Sequence, residues 1–400
     1  MAAVTKNPGN IYTRIGVRPF INARGTWTYL SGSLELPEVK AAKQEAAKHF
    51  VEIFELQRAV GRRLAELSGT ESGMVTSGAA GAMASATAAC IAGTDPKKIW
   101  QLPDTTGLKN EVIMFGGRSA FDSAIRLVGA KLILARSHDD LQNAINSNTA
   151  MIYTTALGER LEKAVVIAKQ AGVTLMLDDA AGIPPIENLK LYNQMGVDLY
   201  AFSGGKGLCG PQCSGLLLGR KHLIDAALAN TSPYEGAVCR AMKVGKEEIM
   251  GCLAAVEAWT KLNLDTLNRQ WSERVKRIAT IVATVPGVQT DISIPEGGNR
   301  YPTLTVSWDE QAWSFTVADC DKLLRDGEPR IEVLTSSNPS LVPAVVEGDP
   351  KAPSRRDRLQ IISMTMQPGE DLIVGRRLRE ILNKAHKTAR WKRKSAAETA

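Results

Sequence analysis

The segment Phe202-Ser203-Gly204-Gly205-Lys206-Gly207 follows an apolar run at residues 198–202 that has the composition of a buried β-strand. Glycines on both sides of Lys206 let a planar ligand approach the lysine without crowding from neighbouring side chains. A lysine amine in a partly desolvated site loses its proton more readily and can form a Schiff base. A nucleotide-binding phosphate loop is disfavoured because Gly207, not Ser or Thr, follows the lysine. Taken by itself, the segment is also consistent with a surface turn that carries a solvated lysine.

Two carboxylates, Asp178 and Asp179, end an apolar run at residues 173–177 and are followed by Ala180. In a parallel sheet, groups at the carboxyl ends of strands face the ligand crevice. A carboxylate there can hold a pyridine nitrogen protonated, which makes the ring an electron sink, and Ala180 is small enough to lie against a ring face. A helix N-cap or a metal site is an alternative, although no His or third carboxylate neighbours these acids in sequence. We predict no metal.

A third segment, Val75-Thr76-Ser77-Gly78-Ala79-Ala80-Gly81, opens a predicted helix that ends near Cys90. Small residues at a helix start leave backbone N–H groups free to bind a phosphate, aided by the helix dipole. A tightly packed helix without a ligand is the alternative. Together, the helix start, the strand-end acid and the strand-end lysine supply what pyridoxal phosphate (PLP) needs for its phosphate, ring nitrogen and aldehyde.

Short apolar segments alternate with helical ones along most of the chain, which predicts an α/β fold with a largely parallel sheet covered on both faces. The predicted buried strands are residues 112–115, 131–134, 150–153, 173–177, 198–202 and 215–218. The predicted helices of this part are residues 37–67, 161–171 and 243–283, the last with a break near Asn263.

The pattern of apolar and polar residues changes after residue 287, where strand-like runs predict a second, smaller α/β domain. Its predicted elements are strands at residues 287–292, 303–308, 330–334 and 359–366, a loop at 336–357 and a helix at 370–384. The predicted organisation is an N-terminal arm and first helix (1–50), a large cofactor-binding domain (51–265), a small domain (266–385) and a basic tail (386–400).

Composition and charge limit the function classes. The net charge of +7 is concentrated from residue 384 onward, where six basic residues and one acidic residue account for most of it. A basic frayed end is usually solvated, so we do not expect a nucleic-acid partner.

The six cysteines form no CxxC pair, which favours reduced thiols in a cytoplasmic protein over zinc. We find no signal peptide, and the Gly- and Ala-rich stretch at residues 73–93 does not resemble a membrane span.

The sequence resembles fold-type-I PLP enzymes, specifically the bacterial selenocysteine synthase (seryl-tRNA selenium transferase) family and its relatives, which include a D-glucosaminate-6-phosphate ammonia-lyase. The matching stretches are residues 18–26, 76–82, 177–180, 202–212, 240–247 and 367–371. The resemblance implies that Lys206 carries the cofactor as a Schiff base and that Asp178 partners the pyridine nitrogen. It implies phosphate contacts from Gly78, Ala79, Ala80 and Ser203. It also implies a homodimer or a higher homo-oligomer, in which Arg240 and Lys246 reach the cofactor or the substrate phosphate across the interface; a role on a helix surface is the alternative for either residue.

Two departures from that family bear on the substrate. The shared region begins within about fifteen residues of Met1, whereas selenocysteine synthase carries an extra N-terminal region that grips tRNA; this favours a small amino substrate. The family tends to carry an arginine in the C-terminal strand, where Met364 stands here. Because methionine cannot pair with a carboxylate, we expect Arg24, Arg118 or Arg330 to do so, or a different substrate.

The predicted reaction is abstraction of the α-proton by Lys206 and β-elimination, which converts a hydroxy-amino acid or amino-sugar acid to a keto acid and ammonia. The same motifs are compatible with a racemase or epimerase, an aldol-type C–C lyase, an aminotransferase or the selenium transferase itself. A non-catalytic PLP-binding or tRNA-handling protein is the alternative from a different class.

Overall fold

The computed structural model describes residues 10–295, 300–335 and 358–398, and in them short strands alternate with helices. The strands are β1 (Phe20–Ala23), β2 (Ser72–Thr76), β3 (Glu111–Phe115), β4 (Lys131–Ala135), β5 (Thr149–Thr154), β6 (Leu175–Asp178), β7 (Leu199–Ser203), β8 (Gly215–Gly219), β9 (Gln289–Ser293), β10 (Thr303–Ser307), β11 (Arg330–Val333) and β12 (Leu359–Ile362). The helices are α1 (Pro37–Ala46), α2 (Ile53–Ser68), α3 (Gly78–Ala92), α4 (Pro96–Gln101), α5 (Ser123–Arg126), α6 (His138–Ala144), α7 (Glu159–Ala171), α8 (Asn188–Met195), α9 (Lys221–Ala229), α10 (Lys246–Trp259), α11 (Leu264–Val282), α12 (Glu310–Trp313), α13 (Val317–Asp326) and α14 (Glu370–Glu398).

The largest sheet has seven strands in the order β2-β8-β7-β6-β5-β3-β4. The strands from β7 to β4 pair in parallel, and β8 runs antiparallel to both of its neighbours. The strands β3, β5 and β8 are buried along their whole length, which explains why their sequences are continuous apolar runs. The predicted α/β class and mostly parallel sheet are confirmed. The edge strand β2 was missing from the prediction.

Helices cover both faces of this sheet, and each face has its own apolar core. Residues of α2, α7, α8 and α10 contribute to one core, and residues of α3 and α9 contribute to the other. Successive side chains of a strand point to opposite faces. Accordingly, Met176 of β6 packs in the core on the α3 side, whereas Leu177 packs in the core on the α8 side.

A second unit contains the antiparallel sheet β12-β10-β9 and the parallel pair of β1 and β11. A third apolar core joins β1, β10, β11 and β12 to residues of α11, α13 and α14. The strand β1 lies in the predicted N-terminal arm, and its pairing with β11 ties that arm to the smaller unit. The predicted division of the chain into domains stays a prediction.

Several helix boundaries differ from those predicted. The single helix predicted for residues 37–67 is two helices, and the second begins where the Glu52 carboxylate accepts hydrogen bonds from the Phe54 and Glu55 N–H groups. The break near Asn263 is confirmed, because its side chain caps α11 by accepting from the Thr266 N–H. The helix α14 does not end near residue 384 but continues to Glu398, since lysine, arginine and alanine of the predicted frayed tail favour helix.

The loop predicted for residues 336–357 lies outside the described residues. In the part of the chain that is described, none of the helices combines the length and the apolar character needed to cross a membrane.

Candidate functional site

Lys206 lies in a tight loop that joins β7 to β8. The Gly204 N–H donates to the Ser214 carbonyl across the base of this loop at 2.8 Å, and the Cys209 N–H donates to the Lys206 carbonyl at 3.0 Å. Gly207 packs against the main chain of Ile183, and a Cβ at this position would lie 1.8 Å from the Ile183 carbonyl oxygen. A glycine is therefore required directly after the lysine.

A segment of the N-terminal arm, residues 28–36, lies against the lysine loop, and we call it the strap. The Gly205 carbonyl accepts hydrogen bonds from the Ser33 N–H at 3.0 Å and the Ser33 hydroxyl at 3.1 Å. The Cys209 carbonyl accepts from the Leu36 N–H at 3.0 Å. Because Gly205 directly precedes Lys206, the strap fixes the main chain on which the lysine stands.

The two acids at the end of β6 face opposite sides of the sheet, a distinction that the sequence did not provide. The Asp178 carboxylate accepts from the Tyr153 hydroxyl at 2.8 Å and from the Ala180 N–H at 3.1 Å. The Asp179 carboxylate accepts from the hydroxyl of Tyr192, a residue of α8. Tyr153 belongs to the core on the α3 side and Tyr192 to the core on the α8 side.

Burial sets the electrostatics of these groups. Burial lowers the pKa of Lys206 from its ordinary value of 10.5, and the nearby carboxylates of Asp178 and Asp179 partly oppose this. Burial likewise raises the pKa of Asp178, against the Tyr153 hydrogen bond and the positive charge of Lys206. The amine is thereby shifted toward its neutral, nucleophilic form next to a carboxylate.

The first turn of α3 lies near the same site because β8 pairs with both β2, which precedes the helix, and β7, which ends at Ser203. Gly215 at the start of β8 is paired with Thr76 on one side and with Ser203 on the other. A Cβ on Gly215 would lie 2.4 Å from the Gly78 carbonyl carbon, so only a glycine lets the helix start come this close. Ser203 thus lies one strand away from the first turn of α3.

That first turn can bind an anion. In the described part of the chain, Ser77 makes no side-chain hydrogen bond to the first turn. Gly78 has a φ of +76°, and no described atom lies within 4 Å of where its Cβ would be. Free N–H groups at the start of a helix, in open space, suit a phosphate.

The residues present fit PLP on three counts. The start of α3 with Ser203 can hold the phosphate, the Asp178 carboxylate can pair with the ring nitrogen, and the Lys206 amine can bond the aldehyde. Each Asp178 oxygen accepts one hydrogen bond in the structure and keeps a lone pair for another. Ala180 lies between these groups, because the Ser203 N–H donates to its carbonyl at 3.1 Å.

Of the predicted substrate residues, Arg118 is linked to this site electrostatically, through the charge of Asp122. Its Nε bonds the carboxylate of buried Asp122. Asp122 in turn lies close enough to Tyr153 to raise the pKa of that phenol, although less than burial and Asp178 do.

The other predicted substrate residues lie on other elements, and of these Arg24 reaches the strap, where its guanidinium lies 5.8 Å from the centre of the Tyr29 ring. Arg24 is buried, and its Nη1 donates to the Val333 carbonyl of β11 at 2.8 Å. Arg330 pairs with Glu332 on β11. Arg240 lies between α9 and α10, and Lys246 begins α10; within the described ranges, no hydrogen bond or ion pair joins either to Lys206 or Asp178.

No set of three His, Cys, Asp or Glu side chains placed to hold a metal occurs within the described ranges. Sequence reasoning missed Tyr153 and the strap. A tyrosine in an otherwise apolar buried strand needs a partner for its hydroxyl, and that signal could have pointed to Tyr153.

Comparison with known proteins supports the reading of this site. The family Aminotransferase class-V matches residues 134–293, a range that contains both Asp178 and Lys206. A D-glucosaminate-6-phosphate ammonia lyase of Salmonella typhimurium (strain 14028s / SGSC 2262) is 29% identical over 393 residues, which cover 94% of this chain and 99% of the relative. A solved structure of D-glucosaminate-6-phosphate ammonia-lyase superposes with a TM-score of 0.76 at 28% identity, over 95% of this chain and 100% of the other.

Two further relatives widen the range of chemistry. A 5'-C-glycyluridine monooxygenase-decarboxylase of a Streptomyces species is 31% identical over 341 residues, 80% of this chain and 83% of the relative. An L-seryl-tRNA(Sec) selenium transferase of Hyphomonas neptunium (strain ATCC 15444) is 28% identical over 280 residues, 60% of this chain and 56% of the relative. The predicted resemblance to ammonia-lyases and selenium transferases is confirmed.

The substitution Gly32→Ala tests the strap. Gly32 has a φ of +68°, and an added Cβ would lie 2.5 Å from the Gly205 carbonyl oxygen. We expect a loss of about 1–3 kcal/mol in the free energy of unfolding, measured by urea denaturation, together with weaker uptake of PLP. The matched control is Gly16→Ala, where φ is +81° but no described atom lies within 4 Å of the added Cβ. Equal PLP uptake by the two variants would contradict a role of the strap in placing Lys206.

Proposed function

Because the chain belongs to the family of fold-type-I PLP enzymes represented by D-glucosaminate-6-phosphate ammonia lyase and 5'-C-glycyluridine monooxygenase-decarboxylase, we propose that it is a PLP-dependent ammonia-lyase for a hydroxy-amino acid or amino-sugar acid. The observation that carries the proposal is a mostly buried Lys206 beside the Asp178 carboxylate, one strand away from the open helix start at Gly78. The match to the lyase over nearly the full length of both chains supports this choice of reaction.

Each of the site residues has a role that follows from its position. Bound PLP supplies a cationic ring that accepts the electron pair left when the substrate Cα–H bond breaks. The Lys206 amine, whose pKa burial lowers, takes the α-proton in its neutral form. The Asp178 carboxylate holds the proton on the ring nitrogen, and Gly78, Ala79, Ala80 and Ser203 bind the phosphate.

The proposed net reaction is balanced without a further reactant. The proton leaves Cα to the Lys206 amine, and the resulting ammonium gives a proton to the β-hydroxyl, which leaves as water. Hydrolysis then returns one water and releases ammonia and a 2-oxo acid. A substrate carboxylate would pair with Arg118, the predicted substrate arginine that forms an ion pair with Asp122, whose charge acts on Tyr153.

A decarboxylase is the second candidate. It is favoured by the 31% identity to the monooxygenase-decarboxylase and by Met364, which is buried where the resemblance leads us to expect an arginine. A substrate carboxylate that is not paired with a cation in an apolar environment loses carbon dioxide more readily, because its charge is poorly solvated.

We propose that the protein acts in the cytoplasm as a homodimer. All six cysteines are unpaired, which supports a reducing compartment. Large apolar side chains of the N-terminal arm are exposed (Ile11, Tyr12, Ile15 and Val17), as is Phe50, and such surfaces commonly lie in interfaces. In a dimer, Arg240 and Lys246 would contact the cofactor or substrate phosphate of the partner subunit. We propose no nucleic-acid partner.

The test of the function is a product assay that is run both with and without oxygen. The PLP-loaded protein is incubated with D-glucosaminate-6-phosphate and with D- and L-hydroxy-amino acids, and ammonia, 2-oxo acid and carbon dioxide are measured. We expect equal amounts of ammonia and 2-oxo acid from at least one substrate, and a loss of roughly 10²–10⁴-fold in Lys206→Ala. Lys163→Ala, which removes an exposed surface lysine, is the matched control. Oxygen-dependent release of carbon dioxide without ammonia would instead identify the decarboxylase.

The pH dependence of cofactor uptake tests the state of Lys206. Only the neutral amine reacts with the aldehyde, and burial places the pKa of Lys206 below 10.5 despite the opposing charges of Asp178 and Asp179. The rate of PLP uptake by cofactor-free protein, followed by its visible absorbance, should rise with pH and level off at a lower pH than the reaction of Nα-acetyl-lysine. A profile that coincides with that of the free amino acid would contradict a desolvated lysine.

A further inference from the structure

Both oxygens of the Asp178 carboxylate are held by other groups of the protein. The Tyr153 hydroxyl donates to Oδ2 at 2.8 Å, and the Ala180 N–H donates to Oδ1 at 3.1 Å. Ala180 is part of the same turn as Asp178, so its hydrogen bond can move with the turn. Tyr153 is on another strand, and its bond is the one that fixes the plane of the carboxylate relative to the sheet.

The register of β5 and β6 explains how Tyr153 reaches Asp178. Tyr153 pairs with Met176 in the parallel ladder, and Asp178 lies two residues further along on the same face. A diagonal neighbour at this spacing is within reach of a long aromatic side chain. Tyr153 is 3% exposed, so its ring is held by the core on the α3 side and its hydroxyl has little freedom.

The Tyr153 hydroxyl keeps its proton and acts as a donor. Burial and the Asp178 charge both raise its pKa far above the ordinary value of 10.0, and Asp122 adds to this. The Asp122 carboxylate is bonded to the Arg118 Nε and accepts from the Ser119 N–H at 3.1 Å. The Tyr153 hydroxyl therefore donates its proton to the Asp178 carboxylate.

We propose that Tyr153 is a positioning residue for the cofactor, because its hydrogen bond orients the Asp178 carboxylate and lowers its proton affinity so that the shared proton stays on the pyridine nitrogen. The inference rests on the proposed function, in which Asp178 pairs with that nitrogen. Without the phenol, the carboxylate in its buried setting competes more strongly for the proton, and the ring becomes a weaker electron sink.

The chain contains its own control for this inference. Asp179, the next residue, accepts a hydrogen bond from the hydroxyl of Tyr192, but this pair faces the α8 side of the sheet. The substitutions Tyr153→Phe and Tyr192→Phe each remove one buried hydroxyl that is bonded to one buried carboxylate. A general effect of losing such a bond should appear in both variants, whereas an effect on the cofactor should appear only in the first.

The experiment measures the protonation of the cofactor itself. Each variant is loaded with PLP labelled with ¹⁵N in the ring, and the ¹⁵N chemical shift and the dissociation constant of PLP are recorded. We expect Tyr153→Phe to move the signal from the pyridinium toward the neutral pyridine position and to weaken PLP binding about ten-fold or more. Tyr192→Phe should leave the signal in place and change the binding less than about three-fold.

Two further variants make the outcome decisive. Tyr153→His, whose ring nitrogen can donate, should return the signal part of the way to wild type, and thermal unfolding of every variant shows that it is folded. An unchanged signal in Tyr153→Phe, or equal changes in Tyr153→Phe and Tyr192→Phe, would overturn the inference. The substitution Asp178→Asn distinguishes a failure of this inference from a failure of the proposed function. A pyridinium signal that persists in Asp178→Asn would show that Asp178 does not hold the proton on the ring nitrogen.

Discussion

Three main-chain segments meet at one end of the large sheet, and the hydrogen bonds that join them are those of the sheet itself. Thr76, Gly215 and Ser203 form one row across β2, β8 and β7, and the Ser203 N–H donates to Ala180 beyond the end of β6. The groups proposed to bind the phosphate, the ring nitrogen and the aldehyde are thereby placed by the backbone ladder. A slip of one residue in the register of β7 would turn the side chains of that strand to the opposite face and separate these groups.

Because successive side chains of a strand point to opposite faces of the sheet, Asp178 and Asp179 have different surroundings. One carboxylate faces the helix start that suits a phosphate, and the other faces α8, where it bonds Tyr192. Both are buried, and burial raises the pKa of each. Asp178 is therefore the carboxylate proposed to pair with the ring nitrogen, whereas Asp179 bonds Tyr192 and contributes its charge near Lys206.

The sequence was enough to predict six of the seven strands of the large sheet and the three segments of the candidate site, because buried strands are rich in apolar residues and glycines mark close approaches. It could not separate Asp178 from Asp179, since the face of a side chain depends on where the strand begins. It also missed Tyr153 and Ser33, which act through contacts with residues 25 and 172 positions away in the chain. The continuation of α14 beyond residue 384 was missed because a run of basic residues was taken for a solvated end.

We infer that the pairing of β2, β8 and β7 places Lys206 where its amine can bond the cofactor aldehyde. The most direct measurement is borohydride reduction of the PLP-loaded protein, followed by proteolysis and mass spectrometry of the peptides. We predict one stoichiometric pyridoxyl adduct, on the peptide that contains Lys206. A protein that binds PLP with that lysine unmodified, or with the adduct on another lysine, would contradict it.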